Sequence, residues 1–327
     1  MKVTTAMTMT VGVLETTAAV VANSNPFNSA TLADWIAFCD VKPATQTTYN
    51  KAVENLFAYL KSNGVMNPTR EDIISYREWL IGAGGYKVSS ARLYMTICKK
   101  FFKYLASKVL YPNVADGVKL PEKPDTDEHA HDSLTVEEAQ ATLSSFEGTS
   151  EKTLRDKCVM SLMIGAGLRS VEITRMNIGD WEKRRNQWFL KLQGKGKSGK
   201  TQTIAISADL KKTIDDYLAV RPSGKKGSPL FISTAARNKG ERLETQSISR
   251  LAKKTFAKIG IVSDRITCHS CRATFATLAL AAGVPIRKVM KAMRHRRSET
   301  TEIYASDINR FNNESVQVVS SLIFPKE

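Results

Sequence analysis

Residues 119–133, KLPEKPDTDEHAHDS, hold two prolines, many charges and almost nothing apolar. No element with a buried face can be built from such a stretch, so it reads as a linker that splits the chain into two folding units. A chain of 327 residues is long enough for two domains, and 42% hydrophobic residues can furnish a core for each.

Upstream of the break, residues 27–118 read as all-helical. In 45–62, Tyr49, Ala52, Val53, Leu56, Phe57 and Leu60 fall on one helical face, and Asn63-Gly64 stops the helix. Residues 70–81 repeat the pattern with Ile73, Ile74, Tyr76, Trp79 and Leu80, ending at Gly82, Gly84 and Gly85. In 88–107, Ala91, Tyr94, Met95, Cys98, Phe101, Phe102 and Leu105 make a third stripe. Lys99, Lys100 and Lys103 lie beside its aromatic residues, where they form either a solvated helix face or contacts to nucleic-acid phosphates.

Downstream, Thr135 with Glu138 three residues on is a capping box that opens a helix. Residues 152–165 form an apolar helix ended by Gly165-Ala166-Gly167. Residues 187–193 and 201–207 alternate like strands, and the Gly/Lys-rich turn between them makes a hairpin. Helical patterns follow near 209–220, 245–259, 270–282, 285–293 and 311–322.

The first 26 residues contain one Lys, many Thr and an interrupting Glu15, which fits a flexible tail better than a signal peptide and leaves no room for a further domain. No apolar run reaches membrane-spanning length. Five cysteines without framework spacing suit reduced thiols in a cytoplasmic compartment, and Cys268-His269-Ser270-Cys271 lacks the second half that a zinc site needs. Lys+Arg exceeds Asp+Glu by 48 to 32, a formal +16, which suits a polyanionic partner such as DNA.

A short series of residues can do chemistry on a phosphate. Arg169 follows Gly-Ala-Gly-Leu at the start of a helix, where free N–H groups favour an anion. Glu172, one turn later, can orient it, although an ordinary surface ion pair has the same spacing. His269 and Arg272 share a helical face. Lys195 lies in the hairpin turn Gly194-Lys195-Gly196-Lys197-Ser198-Gly199-Lys200, with Lys197 and Lys200 as rival proton donors. That turn lacks the spacing of a nucleotide-binding P-loop. His295 precedes Tyr304 by nine positions, and Tyr304 can be a nucleophile or a packing residue.

GAGLRSVEITRM resembles the first-arginine box of the tyrosine recombinase, or phage integrase, family, and LQGKGKSGKTQTIAI resembles the hairpin that carries that family's lysine, which favours Lys195. HSCRATFATLALAAGVPIRKVMKAMRHRRSETTEIYA is similar to the family's long second box. Cys271 stands where an apolar residue is usual, Ala273 where His is common, and Met293-Arg294-His295 replaces Leu-Gly-His. The likeness is to the simpler, Xer-like two-domain site-specific recombinases.

The resemblance implies a mainly α fold with a small antiparallel sheet. It implies a helical core-binding domain over 27–118 and a mixed α/β catalytic domain over 134–327, with a C-terminal tail from about 306. Together these would clamp duplex DNA at a specific recombination site. It further implies that Tyr304 attacks the scissile phosphate to give a 3′-phosphotyrosyl bond. Arg169 and Arg272 would stabilise charge, Lys195 protonate the leaving oxygen, His269 assist proton transfer and His295 hydrogen-bond the phosphate. No cofactor and no metal are implied. Lys197 and Lys200 become minor DNA contacts alongside Lys99, Lys100 and Lys103. Strand exchange would pass through a Holliday junction in a homo-tetramer joined by the C-terminal segment. Integration or excision of a mobile element, DNA-bending or directionality factors, and a cytoplasmic, nucleoid-associated location complete the expectation. The alternatives are strand cleavage of type IB topoisomerase kind and a non-catalytic DNA-binding regulator.

Overall fold

The computed structural model describes residues 25–122, 132–194, 196–295, 301, 302 and 304. The expected N-terminal tail, save Asn25 and Pro26, and the expected helix at 311–322 lie outside the described residues. The chain divides into two compact units, one through Asp125 and one from Thr126.

The first unit is helical: α1 (Ser29–Phe38), α2 (Pro43–Ser62), α3 (Arg70–Ile81) and α4 (Val88–Ser107). Three of the four starts have a local cause. Asn28 accepts the Thr31 N–H, Pro43 occupies the first turn of α2, and Thr69 and Asp72 cap α3 reciprocally. α4 packs on α2 and α3, and α1 on α2. Their common core holds Trp35, Leu56, Ile73, Tyr76, Leu80, Met95, Phe101 and Phe102, all essentially inaccessible. Each such side chain contributes about 1.5–3 kcal/mol by leaving water. Trp35 stacks on Tyr49 and meets Phe101 edge-on. The Tyr76 hydroxyl donates to Asn55, whose amide donates to the Tyr86 hydroxyl. The unit's packed chain runs past α4 into the segment that reads as linker: Leu120 touches the core, and the Lys119 and Pro121 carbonyls accept from Arg77 and Arg92.

The second unit contains α5 (Val136–Ser144), α6 (Glu151–Gly165), the short α7 (Ser170–Thr174), β1 (Trp181–Arg184), β2 (Gln187–Leu192), β3 (Gln202–Ile206), α8 (Ala208–Val220), α9 (Thr245–Lys258), α10 (Cys268–Ala281) and α11 (Ile286–Met293). The expected capping box forms between Thr135 and Glu138. α6 is buried nearly all round, which explains its continuous apolar run Cys158 to Met163, broken only by Ser161. It packs against α8, α10, α5 and α9. The sheet is an antiparallel meander, β1-β2-β3, with Trp181 opposite Leu190 and Leu190 opposite Ile204.

The sheet therefore has one strand more than the hairpin read from the sequence. β1 is charged and half exposed, so it shows no buried alternation. It turns into β2 through Arg185 and Asn186, at φ 47° and 65°, a two-residue turn that normally advertises itself with glycine.

Candidate active site

The site is assembled around the turn that ends α6. Gly167 has φ +59°, and a Cβ there would sit 2.7 Å from Cδ1 of Phe275, so only glycine fits. The turn aims the Gly167 carbonyl at two guanidiniums, those of Arg272 and Arg294.

Arg169 is the residue that caps α7. This helix has only five residues, and its N-terminus is already filled: the Glu172 carboxylate accepts the Arg169 N–H at 2.9 Å and the Arg169 guanidinium at 3.0 Å. The Glu172 carboxylate thus takes the first N–H of this helix end. What Arg169 can offer a ligand is its side chain, 24% exposed, while Glu172 is wholly buried.

Arg272 rises from α10 into the interior. Its guanidinium donates to the Gly167 and Met293 carbonyls, linking the α6 turn to the end of α11. Burial, with the charges of Arg169 and Arg294, pushes its pKa down to about 9, while Glu172 and Tyr304 act the other way. Arg272 remains a cation at neutral pH. His269 occupies the first turn of α10, exposed, with its N–H on Thr267 Oγ1.

Arg294 follows α11 in the left-handed region, φ 57° and ψ 38°. Its side chain is buried and donates to Glu172 Oε2 at 2.6 Å. Burial pushes the Glu172 carboxyl up, but Arg294 and Arg169 more than reverse this and hold it below the ordinary carboxylate value. Sequence reasoning noted Arg294 only as a departure from glycine. The signal that could have found it is that glycine's usual place there marks a left-handed turn beside the histidine.

His295 comes next. Its Nδ1 lies 2.8 Å from Thr301 Oγ1, a fully buried partner the sequence reading passed over. The imidazole stacks on Tyr304, ring centroids 6.4 Å apart at 14°. Burial, then Arg272, Arg169 and Arg294, push its pKa down to about 4, so it is neutral at pH 7. Tyr304 is 8% exposed and packs with Ala273, Ala276, Val289 and Met293 of its own chain. Tyr217, the next tyrosine one would test as a nucleophile, is fully buried, stacked on Phe231, with its hydroxyl near the Ile232 N–H.

Lys195 lies outside the described residues. The hairpin beside it is tied to α7, because Arg175 donates to the Gly194 carbonyl at 3.1 Å. Of the rival donors, Lys200 is ion-paired with Asp180 at 2.5 Å, and Lys197 is exposed. In the first unit, Lys99 donates to the Val118 carbonyl and Lys100 to the Tyr49 hydroxyl, while Lys103 is exposed. Among the described residues no His, Cys, Asp and Glu side chains gather in threes as a metal site would need, and no helix is long and apolar enough to cross a membrane.

The structure thus joins Arg169, Glu172, Arg272, Arg294, His295 and Tyr304 in one cluster with more positive than negative charge. Such a cluster can hold an anion next to a phenol.

Comparison with known proteins agrees with this geometry. Residues 132–309, more than half of the chain, match the model of the phage integrase family. The chain is 28% identical over 290 residues to tyrosine recombinase XerA of Pyrococcus horikoshii, covering 89% of this chain and 93% of the relative. It is 27% identical over 274 residues to tyrosine recombinase XerC of Thermodesulfovibrio yellowstonii, covering 80% of this chain and 84% of the relative. Among solved structures, the XerH site-specific recombinase bound to palindromic difH substrate aligns with a TM-score of 0.69 at 17% identity, over 90% of this chain and 84% of that one. A lambda integrase tetramer bound to a Holliday junction aligns with a TM-score of 0.64 at 17% identity, over 88% of this chain and 80% of that one. These two likenesses bear on the fold.

Proposed function

The chain belongs to the phage integrase family of tyrosine recombinases, and on that premise we propose that it cleaves and rejoins DNA at a specific site by transesterification through Tyr304. The Tyr304 oxygen bonds to the scissile phosphorus, and the bond from phosphorus to the 5′ oxygen breaks. The product is a 3′-phosphotyrosyl enzyme and a free 5′-hydroxyl. Lys195 gives the 5′ oxygen its proton, and the phenol proton leaves with the help of His269. Arg169 and Arg272 meet the charge that grows on the non-bridging oxygens. His295 is neutral and hydrogen-bonded through Nδ1 to Thr301 Oγ1; in the tautomer where Thr301 is the donor, Nε2 carries the proton and presents it to the phosphate. The reverse attack by a 5′-hydroxyl reseals the strand, because the phosphotyrosyl link conserves the bond.

The observation that carries this reading is the placement of Tyr304. Its ring is stacked on His295, and it packs with Ala273, the residue after Arg272, which lies in the same cluster as Arg169. The partners we infer are duplex DNA and further copies of the chain, four of them exchanging strands through a Holliday junction. A mobile element as the source of the site is the biological setting that suits such a chain. The test is a nicked suicide substrate resolved on a denaturing gel. Wild type should form a covalent adduct, and Tyr304→Phe should bind the same DNA and form none. An adduct persisting in the Phe variant removes Tyr304 from this role.

A further inference from the structure

Arg294 holds a backbone conformation that favours glycine, yet its side chain is 5% exposed and fully engaged. Nη2 reaches Glu172 Oε2 at 2.6 Å and the Gly167 carbonyl at 3.4 Å, Nε lies 3.4 Å from Glu172 Oε1, and Nη1 donates to the Ala292 carbonyl at 2.6 Å. Glu172 has two cations. Arg169 is partly exposed and able to turn outward, whereas Arg294 is enclosed. From this geometry we propose that Arg294 is a positioning residue that keeps the Glu172 carboxylate paired while the Arg169 guanidinium engages the scissile phosphate. The proposal rests on the recombinase reading above.

The physical need is plain. A phosphate competes with Glu172 for Arg169. A wholly buried carboxylate deserted by its cation is strongly unfavourable and would draw the arginine back or take up a proton. A second, enclosed guanidinium removes that penalty. It also keeps the Glu172 carboxylate in place to accept the Arg169 N–H, so the arginine's backbone stays fixed while its side chain moves. Because Arg294 immediately precedes His295 and shares the Gly167 carbonyl with Arg272, the same contacts register three phosphate-facing groups on one turn.

The experiment compares wild type with Arg294→Gly, Arg294→Gln and Arg294→Lys. Melting, gel-shift affinity for the site DNA and single-turnover formation of the covalent adduct are measured for each. Glycine relaxes the turn, and glutamine keeps length without charge. Both should fold, bind DNA and cleave roughly 10- to 100-fold more slowly, the range expected for a small displacement of a reacting group. Lysine restores the charge without the fork that reaches both Glu172 oxygens, and should recover part, up to about tenfold, of the rate lost in the Gln variant. Equal rates for the Gln and Lys variants overturn the proposal, and that comparison decides even if the Gly variant does not fold. If all three fail to fold, Arg294 is a structural support and the proposal falls. If wild type forms no adduct, or Tyr304→Phe retains one, the recombinase reading fails instead.

Discussion

The two units bury different things. In the first, every buried side chain among the described residues is apolar or a tyrosine or cysteine, and the helices are held by an aromatic and aliphatic interior. In the second, fourteen polar or charged residues are buried among the described ones, including Arg155, Asp156, Glu172, Asp180, Lys211 and Arg272. Burying charge is unfavourable unless each charge is paired and bonded, so a fold that does it repeatedly is supporting something besides its own stability. The second unit contains a control for that statement. Arg155 and Asp156 form a buried pair at 2.6 Å fastened to the Ile232 carbonyl, and the exposed Lys152 also meets Asp156, at 2.9 Å. The Glu172 cluster differs in what it borders: its cations lie beside Arg272, His295 and Tyr304. One pair braces the fold, and the other presents charge.

The largest effect should come from Arg272→Ala. Removing one charge-stabilising donor costs about 10²- to 10³-fold in rate, and the orphaned Met293 carbonyl adds about 1–3 kcal/mol of lost stability, while the Gly167 carbonyl keeps Arg294 as a longer contact. Arg155→Ala should cost about 1–3 kcal/mol of stability by leaving the Ile232 carbonyl without its donor, while Asp156 keeps Lys152. Its folded fraction, however, should cleave at the wild-type rate. Adduct formation normalised to folded protein checks both. Equal normalised rates for the two variants would erase the distinction between bracing and presenting pairs.

Comparable in rate, without the loss of a buried brace, is Lys195→Ala, which should slow cleavage by about 10²- to 10⁴-fold as a lost proton donor. A substrate with a 5′-bridging phosphorothiolate, whose leaving thiolate needs no proton, should restore its rate. Lys200→Ala should respond little, because Lys200 is committed to Asp180. Rescue of the Lys200 or Lys197 variant in place of Lys195 would reassign the donor.

Elements with a strong period and a clear stop were readable in the sequence. α2 and α3 announce themselves by apolar stripes that end at glycines, α4 by its stripe alone, and α5 by its capping box. β1 was not readable, because Trp181–Arg184 has no buried alternation and its turn uses Arg185-Asn186. The site was legible as a set of residue types: Arg169, Arg272, His295 and Tyr304 each stand in a motif that resembles a family box. Its supports were not. Thr301 and Arg294 act through contacts that depend on how α11 ends, and Arg294 reaches Glu172, 122 positions away in sequence. Local pattern carries no information about such a pairing.

The first unit offers the converse test. Leu56→Ala removes a wholly buried side chain from its core and should cost about 2–5 kcal/mol. Chemical denaturation would read that loss. The rate of adduct formation at saturating protein should stay unchanged, since no group of the Glu172 cluster belongs to that unit. A slowed chemical step in a variant that still binds DNA would mean that the apolar unit does more than bind.

The smallest effect is the one the buried charges exert on pH dependence. The pKa of His295 is pushed from its ordinary value of 6.5 down to about 4 by burial and by Arg272, Arg169 and Arg294. Between those values the unfolded chain binds a proton there that the folded chain refuses. Stability should therefore fall as pH drops from about 6.5 towards 4. Glu172 works in a different window: its lowered pKa means its contribution persists until pH falls below the ordinary carboxylate value. His295→Gln stays neutral throughout and keeps a hydrogen-bonding group facing Thr301. Urea midpoints of wild type and His295→Gln should converge as pH approaches 4 and diverge, with wild type the more stable, above pH 6.5. Because His295 is only partly enclosed, solvent screens the shift and the divergence should be modest. Parallel midpoints across the whole range would mean that His295 titrates normally in the folded protein, and that the surplus of cations around Glu172 is not felt one residue beyond Arg294.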